Sequence, residues 1–296
     1  MLTRFELPFF GTIASHDLLV GLAIVICVGL GLRWTIVREE LPAGRVLVAI
    51  LLMMVIVLAG GRLHFAITKW HFFAADPTKL FRLSSGGLHA PGAIACLTIG
   101  GWFVLRALRL PVGRFVDGLA PTVGIGIALA RFGCFLNGCC YGEICDLPWG
   151  ISLPSDSYTY HSQIEAGVLD RGAPHSHPVH PLPLYFAGVG LVISAILLWR
   201  RPRRRYEGEL GVILLFLFSA SSTILEFWRA EHAYRIYWGP FPQLFWVSLA
   251  MTVAAGILGF RLYRTAVARS DDGTKARGNQ PPGPDGPDGP DGPDGP

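Results

Sequence analysis

Long apolar stretches alternate with short, arginine-bearing polar segments along most of this chain. The stretches near 18–32, 46–59, 88–105, 115–130, 184–199, 210–227 and 244–262 are almost uninterrupted runs of Leu, Ile, Val, Ala, Gly and Phe. A helix needs about 20 mainly apolar residues to cross a bilayer, so each is expected to be a transmembrane helix. The second is broken by Gly60, Gly61 and Arg62 before apolar residues resume at 63–67. The fold class expected is therefore all-α: a polytopic membrane protein of about seven transmembrane helices. Composition agrees, because only 16% of residues are charged, against roughly a quarter in soluble domains.

The cations set the expected orientation. Arg33, Arg38 and Arg45 follow the first run, Arg106, Arg109 and Arg114 the third, Arg200 to Arg205 the fifth, and Arg261, Arg264 and Arg269 the last. Alternate ends enriched in arginine are expected to be cytoplasmic, which puts the N-terminus outside and the C-terminus inside. The formal net charge of +4 is then accounted for by topology and inner-leaflet contact, and no nucleic-acid partner is expected. The opening residues carry an early glutamate and no compact apolar core, so no cleavable signal peptide is expected. The longest polar segment, about 138–183, joins spans four and five and is expected to form an outward-facing head region. Residues 1–269 form the membrane domain in this reading, and the Gly/Pro/Asp-rich residues 270–296 form a disordered cytoplasmic tail.

Candidate chemistry concentrates at residues 130–151, where the fourth run ends. Arg131, Asn137, four glycines and four cysteines are crowded there. An ionisable side chain at bilayer depth is costly and marks a functional site, so Arg131 is a candidate for holding an anionic lipid head group. Simple snorkelling to the interface is the competing reading. Cys134, Cys139, Cys140 and Cys145 leave a disulfide from Cys145 to Cys139 or Cys140 open. A zinc site with His175, His177 or His180 matches no standard ligand spacing, and no cofactor or metal is expected.

Several ordered landmarks resemble the prolipoprotein diacylglyceryl transferase family. Arg131-Phe-Gly-Cys-Phe-Leu-Asn137-Gly138, followed by Tyr141-Gly142 and by Asp146 to Gly150, is similar to that family's signature. His180-Pro181 with Leu184-Tyr185, and Glu226-Phe-Trp-Arg229, resemble two further motifs. The resemblance implies a multi-pass protein of the bacterial inner membrane. It implies transfer of the diacylglyceryl group of phosphatidylglycerol to the lipobox cysteine thiol of a prolipoprotein. By the same resemblance His89, Arg131 and Glu226 are the catalytic candidates, and Arg131, Asn137, Gly138, Gly142, His180, Tyr185 and Arg229 the lipid-binding ones. Glu226 is expected to orient an arginine, and an intrahelical Glu226–Arg229 pair is the simpler alternative. The chain departs from the family pattern at Pro91, where a histidine is expected, at Ser222, where an arginine is expected, and at Cys134 and Cys139 within the signature. His89, two residues before Pro91, is the nearest histidine. A phospholipid-binding membrane protein of the same fold, non-catalytic or with another specificity, is the second reading.

Overall fold

The computed structural model describes residues 4–7, 11–74, 76–80, 87, 90–230 and 237–278. Two short strands, β1 (Arg4–Leu7) and β2 (Gly11–Ala14), pair antiparallel with Arg4 opposite Ala14. They lead into α1 (Ser15–Val37) and α2 (Ala43–Thr68), then the short α3 (Trp70–Ala74) and a 3-10 turn at Pro77–Leu80. Next come α4 (Ala90–Ala107), α5 (Val112–Leu136) and the eight-residue α6 (Tyr158–Glu165). The chain continues through α7 (Leu182–Arg200), α8 (Glu209–Leu225), a two-residue-strand hairpin β3 (Tyr237–Trp238) and β4 (Phe241–Pro242), and α9 (Gln243–Gly278). The expected all-α polytopic class stands, with the two small hairpins as additions.

Six helices among the described residues are long and apolar enough to cross a membrane: His16–Val37, Ala43–Thr68, Val112–Leu136, Leu182–Arg203, Glu209–Trp228 and Gln243–Ala268. The expected third span is α4, whose described apolar part, Gly92–Ala107, is shorter. Leu88 and His89 lie outside the described residues. Large apolar side chains such as Val25, Leu51, Leu191 and Phe260 are exposed, as expected of surfaces that face lipid tails rather than water. The run 46–59 and the run 63–67 are one continuous helix, since Gly60, Gly61 and Arg62 are all helical and buried. Helix α9 runs past Arg269 to Gly278. Extending an existing helix adds a hydrogen bond per residue without the cost of nucleation, so the polar residues simply propagate it.

Helix α5 is the axis of the bundle, flanked by α1 on one side and α7 on the other. Small residues permit this. A Cβ on Gly124 would fall 2.5 Å from the Gly190 carbonyl oxygen of α7, and one on Gly190 equally close to the Gly124 oxygen. Without hydrophobic drive between helices in lipid, such close backbone approach maximises van der Waals contact and is the usual membrane solution. The α2–α4 pair repeats it, with Gly60 and Gly92 facing each other.

The arginine-rich end of the bundle is tied by buried carboxylates. Asp117, fully buried on α5, accepts hydrogen bonds from the backbone N–H groups of Gly208 (2.8 Å), Leu210 (2.9 Å) and Gly211 (3.2 Å). It thereby caps the first turn of α8, whose N–H groups have no partner within the helix. Glu39, which follows α1, pairs with Arg204 at 2.7 Å and Arg201 at 3.4 Å. These contacts hold the ends of α1, α5, α7 and α8 together and leave the opposite end of α5 to carry the site.

Candidate active site

Helix α5 stops at Asn137, and the manner of stopping builds the site. The Gly138 N–H bonds the Phe135 carbonyl at 3.1 Å, and the Cys139 N–H bonds the Cys134 carbonyl at 3.1 Å. This paired reversal satisfies the last carbonyls of the helix and requires a left-handed residue just past its end. Gly138 supplies it with φ 65°. Its carbonyl accepts from the Thr159 hydroxyl at 2.7 Å, which anchors the first turn of α6. Cys140 is also left-handed, at φ 59°, a conformation that costs a residue with a Cβ about 1 to 2 kcal/mol.

The reversal folds Cys139 and Cys140 back over Cys134, and the three sulfurs lie within 4.8 Å of one another. The Asn137 carboxamide is hydrogen-bonded to the Cys139 thiol. The Cys140 thiol is held far below the ordinary cysteine range. Hydrogen bonds from the Cys134 and Cys139 thiols are the main cause, and the positive charges of Arg131 and Arg229 add to them against the opposing effect of burial. Arg131, one turn before Cys134 on α5, lays its guanidinium over the Phe186 ring at 4.7 Å. Among the described residues no acidic side chain is ion-paired with it.

The segment from Tyr141 to Pro181 returns to this point through short bridges. Gly142 pairs with Arg229, and Ile144 and Ile151 both pair with Val179. The Gly142 N–H donates to the His180 carbonyl (2.9 Å) and the Glu143 N–H to the Trp228 carbonyl (2.8 Å). A Cβ on Gly142 would meet the His180 Cβ at 2.6 Å and press on the Trp228 carbonyl. Gly142 is thus the crossing point that sets His180 and the Glu226–Trp228 turn side by side. Nδ1 of His180 lies 3.3 Å from the Tyr185 hydroxyl, which accepts from the Trp149 indole N–H at 2.8 Å. Glu226 is buried in the 3-10 turn Glu226–Trp228 and binds Nε of Arg229 at 3.1 Å.

The structure therefore brings Arg131, Asn137 and Arg229 to the cysteine cluster, with Glu226 orienting Arg229 and His180 and Tyr185 alongside. Gly138 acts as the helix cap and Gly142 as the backbone crossing, and at each position protein atoms occupy the space a side chain would need. His89 lies outside the described residues. All six cysteines are free thiols, so Cys145 is not joined to Cys139 or Cys140. His175, His177 and His180 are not part of the sulfur cluster; His177 instead contacts the Val168 carbonyl at 3.0 Å.

One residue that the sequence marked only as an interruption has a positioning role. Arg62, buried in α2, donates from Nε to the Leu80 carbonyl and from a terminal nitrogen to the Gly87 carbonyl, both at 3.1 Å, with its guanidinium over Phe73 at 5.3 Å. It fixes the chain on either side of residues 81–86, just before His89. The signal was present: a cation deep in an apolar run must find acceptors.

Comparison with known proteins places this site in a family. The family model for prolipoprotein diacylglyceryl transferase matches residues 4–261. Relatives named phosphatidylglycerol–prolipoprotein diacylglyceryl transferase include one from Chromohalobacter salexigens, 30% identical over 58% of this chain and 59% of its own length. One from Rhodococcus jostii is 29% identical over 60% and 50%, and one from Cupriavidus metallidurans 29% identical over 72% and 76%. The chain thus spans between half and three fifths of the length of the first two. With the family match running over nearly the whole chain and the landmark residues gathered at one end of α5, this chain belongs to the prolipoprotein diacylglyceryl transferase family.

Proposed function

We propose that the protein transfers the diacylglyceryl group of phosphatidylglycerol to the lipobox cysteine of a prolipoprotein. The acceptor thiol loses its proton and its sulfur attacks the glycerol carbon bearing the phosphate. A carbon–sulfur bond forms, the carbon–oxygen bond breaks, and glycerol phosphate leaves with the bonding electrons. The observation that carries this reading is the meeting of Arg131, one turn before Cys134 and over the Phe186 ring, with the Arg229 segment that bridges to Gly142, at the end of α5. Arg131 has no acidic partner among the described residues, so its charge is available to a phosphate. A phosphate stranded near hydrocarbon needs such guanidinium partners, and those bonds strengthen as the leaving group gains charge. Tyr185 and Asn137 are suited to orient ester and head-group oxygens. His89 is the proposed proton acceptor, with His180, whose ring faces the Tyr185 hydroxyl, as the alternative.

Arg131→Ala is expected to weaken phosphatidylglycerol binding by about 1.5 to 3 kcal/mol and to abolish rescue of a strain depleted of its own transferase. Arg131→Lys restores only part, because an ammonium lacks the two-pronged fork. Native mass spectrometry of detergent-solubilised protein, together with the rescue assay, checks both. Undiminished lipid retention in Arg131→Ala returns the residue to a snorkelling role. Ser222, half-buried on α8 one turn before Glu226, supports a second reading: a site that binds the same lipid without this transfer. Lipid retention with no rescue by the unaltered protein is its signature.

A further inference from the structure

The sulfur cluster has a geometry that lipid transfer does not use. Three thiols, Cys134, Cys139 and Cys140, place their sulfurs within 4.8 Å of one another. A zinc–sulfur bond of about 2.3 Å sets the sulfurs of a tetrahedral zinc–thiolate site about 3.8 Å apart. The cluster is therefore within a side-chain rotation of closing on one cation. We propose that Cys134, Cys139 and Cys140 form a binding site for a divalent thiophilic cation of the zinc class.

The backbone holds the three ligands in place before any metal arrives. Cys134 sits in the last turn of α5, Cys139 is locked over it by the hydrogen bond from its N–H to the Cys134 carbonyl, and the Gly138 reversal cannot be moved without losing the Thr159 anchor. Cys140 completes the set only by taking a left-handed conformation. Such strain survives where its surroundings over-determine it, and it gathers at functional positions.

Polarisability and coordination geometry select the cation. Three thiolates are soft ligands that favour zinc or cuprous ions over magnesium or calcium. Three thiolates with one exchangeable fourth ligand match the tetrahedral coordination of zinc, which favours the divalent class. With three protein ligands the fourth position of a tetrahedral site stays open, the arrangement of exchangeable rather than purely structural sites. Water or an incoming thiol is the ligand of matching chemistry.

Cobalt(II) titration of the reduced, chelator-stripped full-length protein in detergent tests the site. One equivalent of Co²⁺ is expected to give a thiolate-to-cobalt charge-transfer band with tetrahedral ligand-field bands, bleached by one equivalent of Zn²⁺. The signal should be lost in Cys139→Ser and Cys134→Ser and kept in Cys145→Ser, with each variant's fold checked by its elution as a monodisperse peak. Three results would overturn the proposal: no charge-transfer band from the unaltered protein, a band that survives Cys139→Ser, or a disulfide joining two of the three cysteines in protein taken from membranes without reductant.

Discussion

At the scale of single residues, the site is a contest between two arginines and the cost of placing charge near lipid. Cys140 shows the outcome. Hydrogen bonds from the neighbouring thiols, and then Arg131 and Arg229, pull its thiol far below the ordinary cysteine range although burial opposes them. A lowered value means the thiolate persists as pH falls. An ordinary cysteine, with a pKa near 8.5, loses about tenfold in thiolate for each unit below that. In reduced, metal-free protein, alkylation of Cys140 by iodoacetamide should therefore stay nearly constant from pH 8 down to about pH 6. Cys134→Ala should restore the largest part of the ordinary pH dependence, Cys139→Ala a smaller part and Arg131→Ala a smaller part still. Peptide mass spectrometry of the alkylated site reads all three, and a tenfold fall per unit in the unaltered protein would refute the assignment. Glu226 shows the complementary case: its carboxylate lies 3.1 Å from Nε of Arg229, the contact through which it is proposed to position that cation.

At the scale of elements, α5 does two jobs from its two ends. Its glycines allow α1 and α7 to approach closely, its C-terminal half carries Arg131 ahead of the cysteines of its last turn and cap, and its first turns hold Asp117. That carboxylate caps α8 through three backbone N–H groups and lies 3.5 Å from Arg204. Asp117→Ala leaves these donors and the arginine without their buried acceptor, and is expected to cost about 3 to 5 kcal/mol. Asp117→Asn, which keeps one acceptor oxygen, should cost less. Thermal unfolding in detergent gives the ranking, and equal midpoints for Asp117→Ala and the unaltered protein would show that α8 is held by apolar packing alone. The departure at Ser222 also belongs to this scale, since it puts a hydroxyl on α8 one turn before Glu226, with Arg229 just beyond the helix.

At the scale of the whole molecule, the arginine-rich network of Glu39, Asp117, Arg114, Arg201 and Arg204 lies at one end of the bundle. The cysteine cluster lies at the other end of α5. By the preference of cationic loops for the cytoplasm, the network end is expected to face inward and the site outward. Reporters fused after Arg205 and after Arg269 should score as cytoplasmic, and one inserted between 166 and 172, in the exposed turn after α6, as external. A cytoplasmic score at that turn would invert the topology and move the site to the other leaflet.

The sequence by itself determined the helical class and the starts of most spans, because apolar runs of membrane length have few alternatives in lipid. It marked Arg131 as a cation at the edge of an apolar run, and resemblance to the family's motifs added His180, Tyr185 and the Glu226–Arg229 pair. What it could not determine depends on chain reversals and on contacts between distant segments. The four cysteines near the end of α5 left Cys145 as an open partner, and only the helix cap at Gly138 decided that Cys134, Cys139 and Cys140 meet instead. The structural parts of Gly138 and Gly142 depend on their contacts with Ser157, His180 and Trp228, which are distant in the sequence. Arg62 and Asp117 were visible as charges in apolar runs, but their roles depend on carbonyls of Leu80 and Gly87 and on amides of Gly208, Leu210 and Gly211. Buried charge must find partners somewhere in the fold, and which partners it finds is a property of packing rather than of sequence spacing.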